Sequence, residues 1–395
     1  MNLRLILALI LIIDAALLLF ETSTFSITYN GARLLYEESS LLQVIVNSSL
    51  QFFGQNDYAL RFPMIVMHLL STVLLYKIAK PYARYPQDRM WLILIFLLLP
   101  GVNSAALLVD NAGLVIVLLF IYAYLYQKHP KYADAILLLY LWIDSAFIFL
   151  FMGRFFHAMA LKQKWSAILT MVLVVMSFYL FGYDSGGTPK GHFLDTLGLY
   201  AAIFTPIVFI YLFYTLYRRY VAEQEDLLWY IAATSLIVSL LLSFRQQIHI
   251  ENFAPFLMLA LPLGMQTFYR SYRVRLKQFR GNYQMLFMIA FSLLIINALV
   301  VLFNKEIYRF LENPKKHFAY RAHIAKELAA ELKKKNIDCV HVKNEHRMQL
   351  RLHFYGIDFC QDNILQYDQG TYGDSVTVSY RNRQLARYSV SKLHN

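Results

Sequence analysis

Apolar runs about as long as a bilayer is thick recur through this chain, and they leave little freedom of fold. The clearest cover residues 4–20, 63–79, 90–108, 112–126, 166–182, 195–217, 227–244, 252–269 and 284–303. A helix needs about 20 apolar residues to cross the hydrocarbon. Inside lipid only a helix or a closed barrel satisfies its own backbone hydrogen bonds. Over 395 residues the chain is 58% hydrophobic and 16% charged, with mean hydropathy +0.44, which a water-soluble domain of this length does not carry. The expected fold class is an all-α polytopic membrane protein. Phe20-Glu21-Thr22 offers no small-residue cleavage site after the first run, so that run is expected to be retained as a span.

The net charge of +12 raises nucleic acid as a partner, but the basic residues sit mostly in short loops between apolar runs. That is an orientation signal, so the expected partner is the lipid bilayer and not nucleic acid. Basic clusters at 77–89, 128–131, 162–164, 218–219 and 270–280 are expected to stay cytoplasmic. Loop 21–62, the turn at Asp110, loop 183–194 and loop 245–251 then face outward, as does everything after about 304. Region 132–161 has basic flanks on both sides. It reads either as two short or tilted helices turning near Trp142–Ser145, giving 11 crossings, or as one surface segment, giving 9.

The chain divides by composition into a transmembrane domain, 1–303, and a polar tail, 304–395, expected to be a small extracytoplasmic α/β domain. Ile324, Leu328 and Leu332 recur at helical spacing within Ala319–Lys335. Ile337–Val342, Gln349–Phe354 and Ser375–Tyr380 read as short strands. The chain has two cysteines, Cys339 and Cys360, too few for a metal cluster. In an oxidising compartment they either form a disulfide or remain two small apolar residues. In the outer loop, Ser39–Phe53 places Leu42, Ile45, Val46, Leu50 and Phe53 on one helical face and Gln43, Asn47, Ser48 and Gln51 on the other, with Tyr29–Tyr36 as a shorter second helix. The pair reads as interfacial helices in the headgroup plane or as a cap over the bundle.

Glu21 directly follows the first run, and Asp110 opens the fourth. Each has a plain reading, as a helix end in water and as a helix N-cap. Each also has a chemical one, as a carboxylate at the rim of the bilayer. Asp14, at membrane depth, is expected to hydrogen-bond to His68.

Four places resemble the dolichyl-phosphate-mannose–protein mannosyltransferase and aminoarabinose transferase superfamily, of GT-C type. They are Glu21 after the first span, Gly31–Ile45 with Phe53–Pro63 (F-G-x-x-D-Y-A-L-R-F-P), Pro100 with Asp110-Asn111, and Arg245–Pro255, a short loop and the N-F-A-P that opens the next span. Leu352-His353-Phe354-Tyr355-Gly356 resembles the family's exported tail. The chain departs from the pattern at Thr22, at Glu38-Ser39-Ser40 and at Asp144. The resemblance implies a glycosyltransferase of the bacterial inner membrane with its tail in the periplasm. Such an enzyme moves a sugar, with inversion, from a polyprenyl-phosphate donor to a lipid, glycan or protein acceptor. A carboxylate then takes or orients the acceptor's proton, and cations or hydrogen-bond donors meet the leaving phosphate. On that reading Glu21 and Asp110 are catalytic, and Asp110 can assist or bind a divalent cation. Arg61, Lys190, Arg245 and His249 meet phosphate, and Glu251 and Asn252 meet sugar hydroxyls. No cofactor is otherwise expected, and two separated carboxylates do not by themselves make a metal site. The competing readings are a transporter or flippase of lipid-linked substrates and a non-catalytic scaffold whose tail binds a partner.

Overall fold

Helix forms along the apolar runs, and two of them bend sharply where a proline opens the second half. A computed structural model describes residues 3–182, 191–343, 345–367, 374–381 and 383–392. The molecule is mostly helical, with a small sheet near its C-terminus. Among the described residues five helices are long and apolar enough to cross a membrane: Leu3–Thr22, Asp57–Ile78, Asn111–Lys128, Lys164–Phe181 and the segment Lys277–Leu302.

Two further runs are broken. The run at 90–108 is Pro86–Leu98 followed by Pro100–Leu107, bent by 61°. The run at 195–217, expected as one span, is Phe193–Phe204 followed by Pro206–Val221, bent by 105°. Proline lacks the amide hydrogen and drives the preceding residue out of the helical region. Leu99 is accordingly extended, at φ −64° and ψ 127°, and Thr205 sits at φ 62°. Counting each bent pair as one span gives at most seven. Any further crossing falls to shorter apolar helices such as Ser145–Ala160 and Leu227–Ser243.

The chain separates into two compact units. One comprises residues 1–14, 66–105 and 111–301, the other 15–65, 106–110 and 302–395. The second unit therefore joins the outer loop, and the turn ending at Asp110, to the tail.

Within the first unit, Asp14 Oδ2 lies 2.8 Å from His68 Nε2, the pairing expected from sequence. The segment 132–161 turns at Leu141–Asp144 between the short helices Pro130–Ala133 and Leu137–Tyr140 and the helix Ile148–Ala160. A fully buried guanidinium fixes this hairpin. Arg154 donates Nε and Nη2 to the two Asp134 oxygens at 2.9 and 2.8 Å, and Tyr122 donates its hydroxyl to the same carboxylate at 3.0 Å. Gly153 lets the helix Ile148–Ala160 approach Leu227–Ser243 closely, since a Cβ there would stand 2.6 Å from the Ile231 Cα.

The second unit has its own core. The helix Ile324–Lys334 buries Ile324, Leu328 and Leu332 against Leu352, Leu365, Val376 and Val378. Four strands form the sheet: β1 His341–Val342, β2 Asn363–Tyr367, β3 Asp374–Tyr380 and β4 Arg383–Lys392. Their order is β1-β2-β4-β3, with β1 parallel to β2 and the other pairs antiparallel. Gln349–Phe354, expected as a strand, is instead the C-terminal part of the helix His346–Phe354. Leu350, Leu352 and Phe354 alternate like strand residues, but Met348, Arg351 and Leu352 share the buried helical face. The following glycine closes that helix: Gly356 lies at φ 73°, and Ile357 N donates to Leu352 O at 3.1 Å. Cys339 and Cys360 are joined in a disulfide.

The outer loop folds as the helices Tyr29–Tyr36 and Leu41–Phe53. Thr28 and Ser40 cap them, accepting from Gly31 N and Gln43 N. The longer helix buries Leu42, Val46 and Ser49 and leaves Val44, Phe52 and Phe53 exposed. Its inner face thus follows i, i+4, i+7, and Phe53, expected on that face, lies outside it.

Candidate active site

The polar sequence Glu21-Thr22-Ser23-Thr24 ends the first apolar helix by supplying partners for its last carbonyls. Thr22 Oγ1 donates to Leu18 O and Thr24 Oγ1 to Glu21 O, both at 2.9 Å. Glu21 itself is only 2% exposed. Its Oε1 accepts from Asn304 Nδ2 at 2.8 Å and shares the single Thr24 hydroxyl proton, at 2.9 Å, with the Glu21 carbonyl. Among the described residues no cation lies within ion-pair distance of it, and Oε2 accepts no hydrogen bond. Neutral donors therefore hold the carboxylate by one oxygen and leave the other available for a proton.

Asn304 is fixed in turn. Its carbonyl accepts from His317 Nε2 at 2.9 Å, while His317 Nδ1 accepts from Ala319 N at 3.0 Å. A ring nitrogen that accepts an amide proton carries none of its own, so the neutral ring donates from Nε2. Burial holds His317 below its ordinary pKa, in keeping with that neutral form. Tyr308 stacks on His317 at 4.2 Å and shares a 3.1 Å hydrogen bond with His323 Nδ1. Burial, reinforced by Lys305, His317 and Arg351 nearby, pushes His323 down to about 3.

A second buried network fixes the backbone around this point. Arg61 is 1% exposed and donates Nη2 to Ser26 O at 2.9 Å and Nε to Leu107 O at 2.7 Å, with Nη1 3.4 Å from Asp57 Oδ1. It thereby links the chain shortly after Glu21 to the chain shortly before Asp110. The other Asp57 contacts are Tyr355, whose hydroxyl donates at 2.8 Å, and Lys326 at 2.8 Å. Arg351 binds Ile27 O and Ser26 Oγ and reaches Arg321 O. Ser26 N meets Ala322 O at 2.8 Å. The loop and the tail thus satisfy each other's buried polar groups, as a buried segment requires.

Of the residues singled out from sequence, Glu21, Arg61 and Asp110 fall in this unit, with Asp110 partly exposed. Arg61 is reached by sequence reasoning, but all three of its nitrogens are engaged by the protein. Arg245, His249, Glu251 and Asn252 belong to the other unit. Lys190 lies outside the described residues. His249 and Asn252 line a cavity of about 720 Å³, together with Ser145, Gln246 and Gln247 on its polar part and Phe149, Phe178 and Phe181 among its apolar walls. His249 Nδ1 lies 3.4 Å from Glu251 Oε1, and Arg245 is exposed. Asp144 accepts from Asn111 Nδ2 at 2.7 Å. Among the described residues no group of three or more His, Cys, Asp or Glu side chains is placed to hold a metal.

Sequence reasoning missed Asp57, Tyr355, Asn304 and His317. Asp57 and Arg61 sit at i, i+4 within F-G-x-x-D-Y-A-L-R-F-P, a spacing that pairs opposite charges on a helix. Tyr355 stands just before the helix-ending Gly356. Nothing in the sequence ties Asn304 or His317 to Glu21.

No protein-family model matches this chain, and no curated protein matches it. Among solved structures it resembles the crystal structure of ArnT from Cupriavidus metallidurans bound to undecaprenyl phosphate. The TM-score is 0.59 at 13% identity, over 97% of each chain. The apo state of the same protein aligns over 97% of each chain with a TM-score of 0.56 at 12% identity. The fold is that of ArnT. The likeness to ArnT runs through both the helical body and the tail.

Proposed function

We propose that the chain transfers a sugar from a polyprenyl-phosphate donor to an acceptor nucleophile, with Glu21 as the group that takes or orients the acceptor's proton. The observation that carries this reading is the Glu21 carboxylate, buried at a helix end and held by Asn304 and Thr24 through one oxygen. The ArnT-like fold supports the donor class, since that protein was crystallised with undecaprenyl phosphate. In the reaction the acceptor oxygen or nitrogen attacks the anomeric carbon from the face opposite the phosphate. The new glycosidic bond forms as the carbon–oxygen bond to phosphate breaks, giving inversion, and the acceptor's proton passes to the carboxylate. The bonding pair leaves with the polyprenyl phosphate.

Asp110 serves as the second carboxylate. Arg61 is the positioning residue that sets the backbone on both sides. His249 and Asn252, on the mixed polar and apolar cavity, suit a ligand with a polar head and an isoprenoid chain, with Arg245, Glu251 and Lys190 as further contacts. The enzyme would act at the bacterial inner membrane with residues 304–395 in the periplasm, on a lipid, glycan or protein acceptor. Lipid analysis of a deletion strain tests this: the reading expects a polyprenyl-phosphate sugar to accumulate and a modified acceptor to disappear. An unchanged lipid and glycan profile would remove it.

The two sharply bent helix pairs also suit a transporter, whose sites are built on broken helices. Uptake of a lipid-linked substrate into vesicles with no covalent product would favour that reading.

A further inference from the structure

We infer that the helical unit binds an anionic phospholipid, in a site formed by the ends of the helices Pro86–Leu98 and Ala260–Val274. The headgroup part is a cavity of about 440 Å³ lined by Arg84, Asp88, Gln266, Arg270 and Arg273 among others. Gln266, Arg270 and Arg273 share one face of their helix, at i, i+4 and i+7. The charges do not balance. Arg273 binds the Asp88 carboxylate through both oxygens, at 2.5 and 2.7 Å. Arg84 and Arg270 have no carboxylate partner among the described residues. Arg84 lies over the Tyr85 ring, and Arg270 donates to the neutral Gln224 at 3.3 Å. Arg219 takes the Gln266 oxygen at 2.7 Å, so what Gln266 has left to offer is its Nε2 donor. Two unbalanced guanidinium groups and an amide donor around one cavity suit a phosphate group.

The apolar part adjoins it. Met265 and Tyr269 line both this cavity and a crevice whose walls include Trp91, Tyr211, Phe268, Phe287 and Phe291. The crevice is almost wholly apolar, with about 120 Å³ of open space. A polar, cationic mouth continuous with an apolar slot between helices matches an anionic headgroup carrying an acyl chain. A free phosphate would use only the mouth. The basic loops that border the site are those read as cytoplasmic from sequence, where anionic lipids concentrate. None of the residues lining this site belongs to the unit that carries Glu21.

Native mass spectrometry of the purified full chain, titrated with phosphatidylglycerol, cardiolipin or phosphatidylcholine, tests the site. The anionic lipids should be retained and phosphatidylcholine should not. The exposed double variant Arg84→Gln/Arg270→Gln should retain the anionic lipid about 30-fold more weakly, the factor expected for two basic side chains at a membrane surface. Ala290→Phe, which narrows the crevice, should weaken retention while leaving both arginines in place. Lys162→Gln/Lys164→Gln, in another basic loop, should leave retention unchanged. Equal retention of phosphatidylcholine, or an equal loss in the Lys162/Lys164 variant, would overturn the proposal. So would displacement of the lipid by millimolar inorganic phosphate with Ala290→Phe without effect, which would mark a free-anion site.

Discussion

Replacing Arg61 tests how the second unit is held together. Arg61→Gln removes the donors to Leu107 O and Ser26 O, at 2.7 and 2.9 Å, and leaves both carbonyls buried. Hydrogen bonds to a charged group are worth about 1.5–3 kcal/mol each. Asp57 keeps Lys326 and Tyr355, both at 2.8 Å, so it is not left uncompensated. The expected loss is therefore about 3–4 kcal/mol, toward the lower end of the range for breaking a buried ion pair. Tryptophan fluorescence would miss the change, because Trp91, Trp142, Trp165 and Trp229 all belong to the other unit. Amide hydrogen exchange on peptides covering 22–62 and 302–367 reads it directly. Protection there should fall by about 100- to 1,000-fold, since each 1.4 kcal/mol is about tenfold. Arg61→Lys keeps the charge but has one nitrogen where three are engaged, and should recover less than half of the protection. Protection within threefold of the parent in Arg61→Gln would show that this side chain does not hold the three segments.

Other outcomes follow from the same structure. The folded pKa of His323, about 3, lies below the unfolded value of about 6.5, so the unfolded chain binds the extra proton between them. Its contribution to the stability of the second unit is complete above pH 6.5 and is lost as pH falls toward 3, at up to about 1.4 kcal/mol per pH unit. His323→Asn should flatten that part of a stability–pH curve, measured by hydrogen exchange. Gly153→Ala puts a Cβ 2.6 Å from the Ile231 backbone and should cost about 1–3 kcal/mol through overpacking, seen as a lower melting temperature in detergent. Cys339→Ser/Cys360→Ser opens a bridge spanning 21 residues of chain, and the tail should lose about 3 kcal/mol, read as faster proteolysis between 305 and 392.

Hydrophobic length and helical spacing made the helical body legible. Helical spacing also gave the tail helix carrying Ile324, Leu328 and Leu332, and the cost of a carboxylate at membrane depth gave the Asp14–His68 pair. Period-two spacing misled at Gln349–Phe354, where Gly356 in the left-handed region was the better signal for a helix end. Thr205-Pro206 marked a break that summed hydropathy smooths over. Glu21 stood out because a carboxylate after an apolar run is costly to place. Its partner Asn304 did not, because it reaches Glu21 from 283 residues away, held in turn by His317, through neutral hydrogen bonds that no spacing rule encodes. Arg61 stood out as a charge near phosphate chemistry, and its actual neighbours, the carbonyls of Ser26 and Leu107, are backbone atoms that carry no sequence signature.

A Glu21 carboxylate that acts on the acceptor's proton is indispensable to turnover. The most direct measurement is sugar transfer by the purified chain in proteoliposomes, supplied with the polyprenyl-phosphate sugar that accumulates in a deletion strain. Glu21→Gln keeps the shape and one hydrogen-bonding oxygen, and should lower turnover by at least about 100-fold while hydrogen-exchange protection of the second unit stays unchanged. Full turnover in Glu21→Gln would mean that the acceptor's proton goes elsewhere and that Glu21 is not the base.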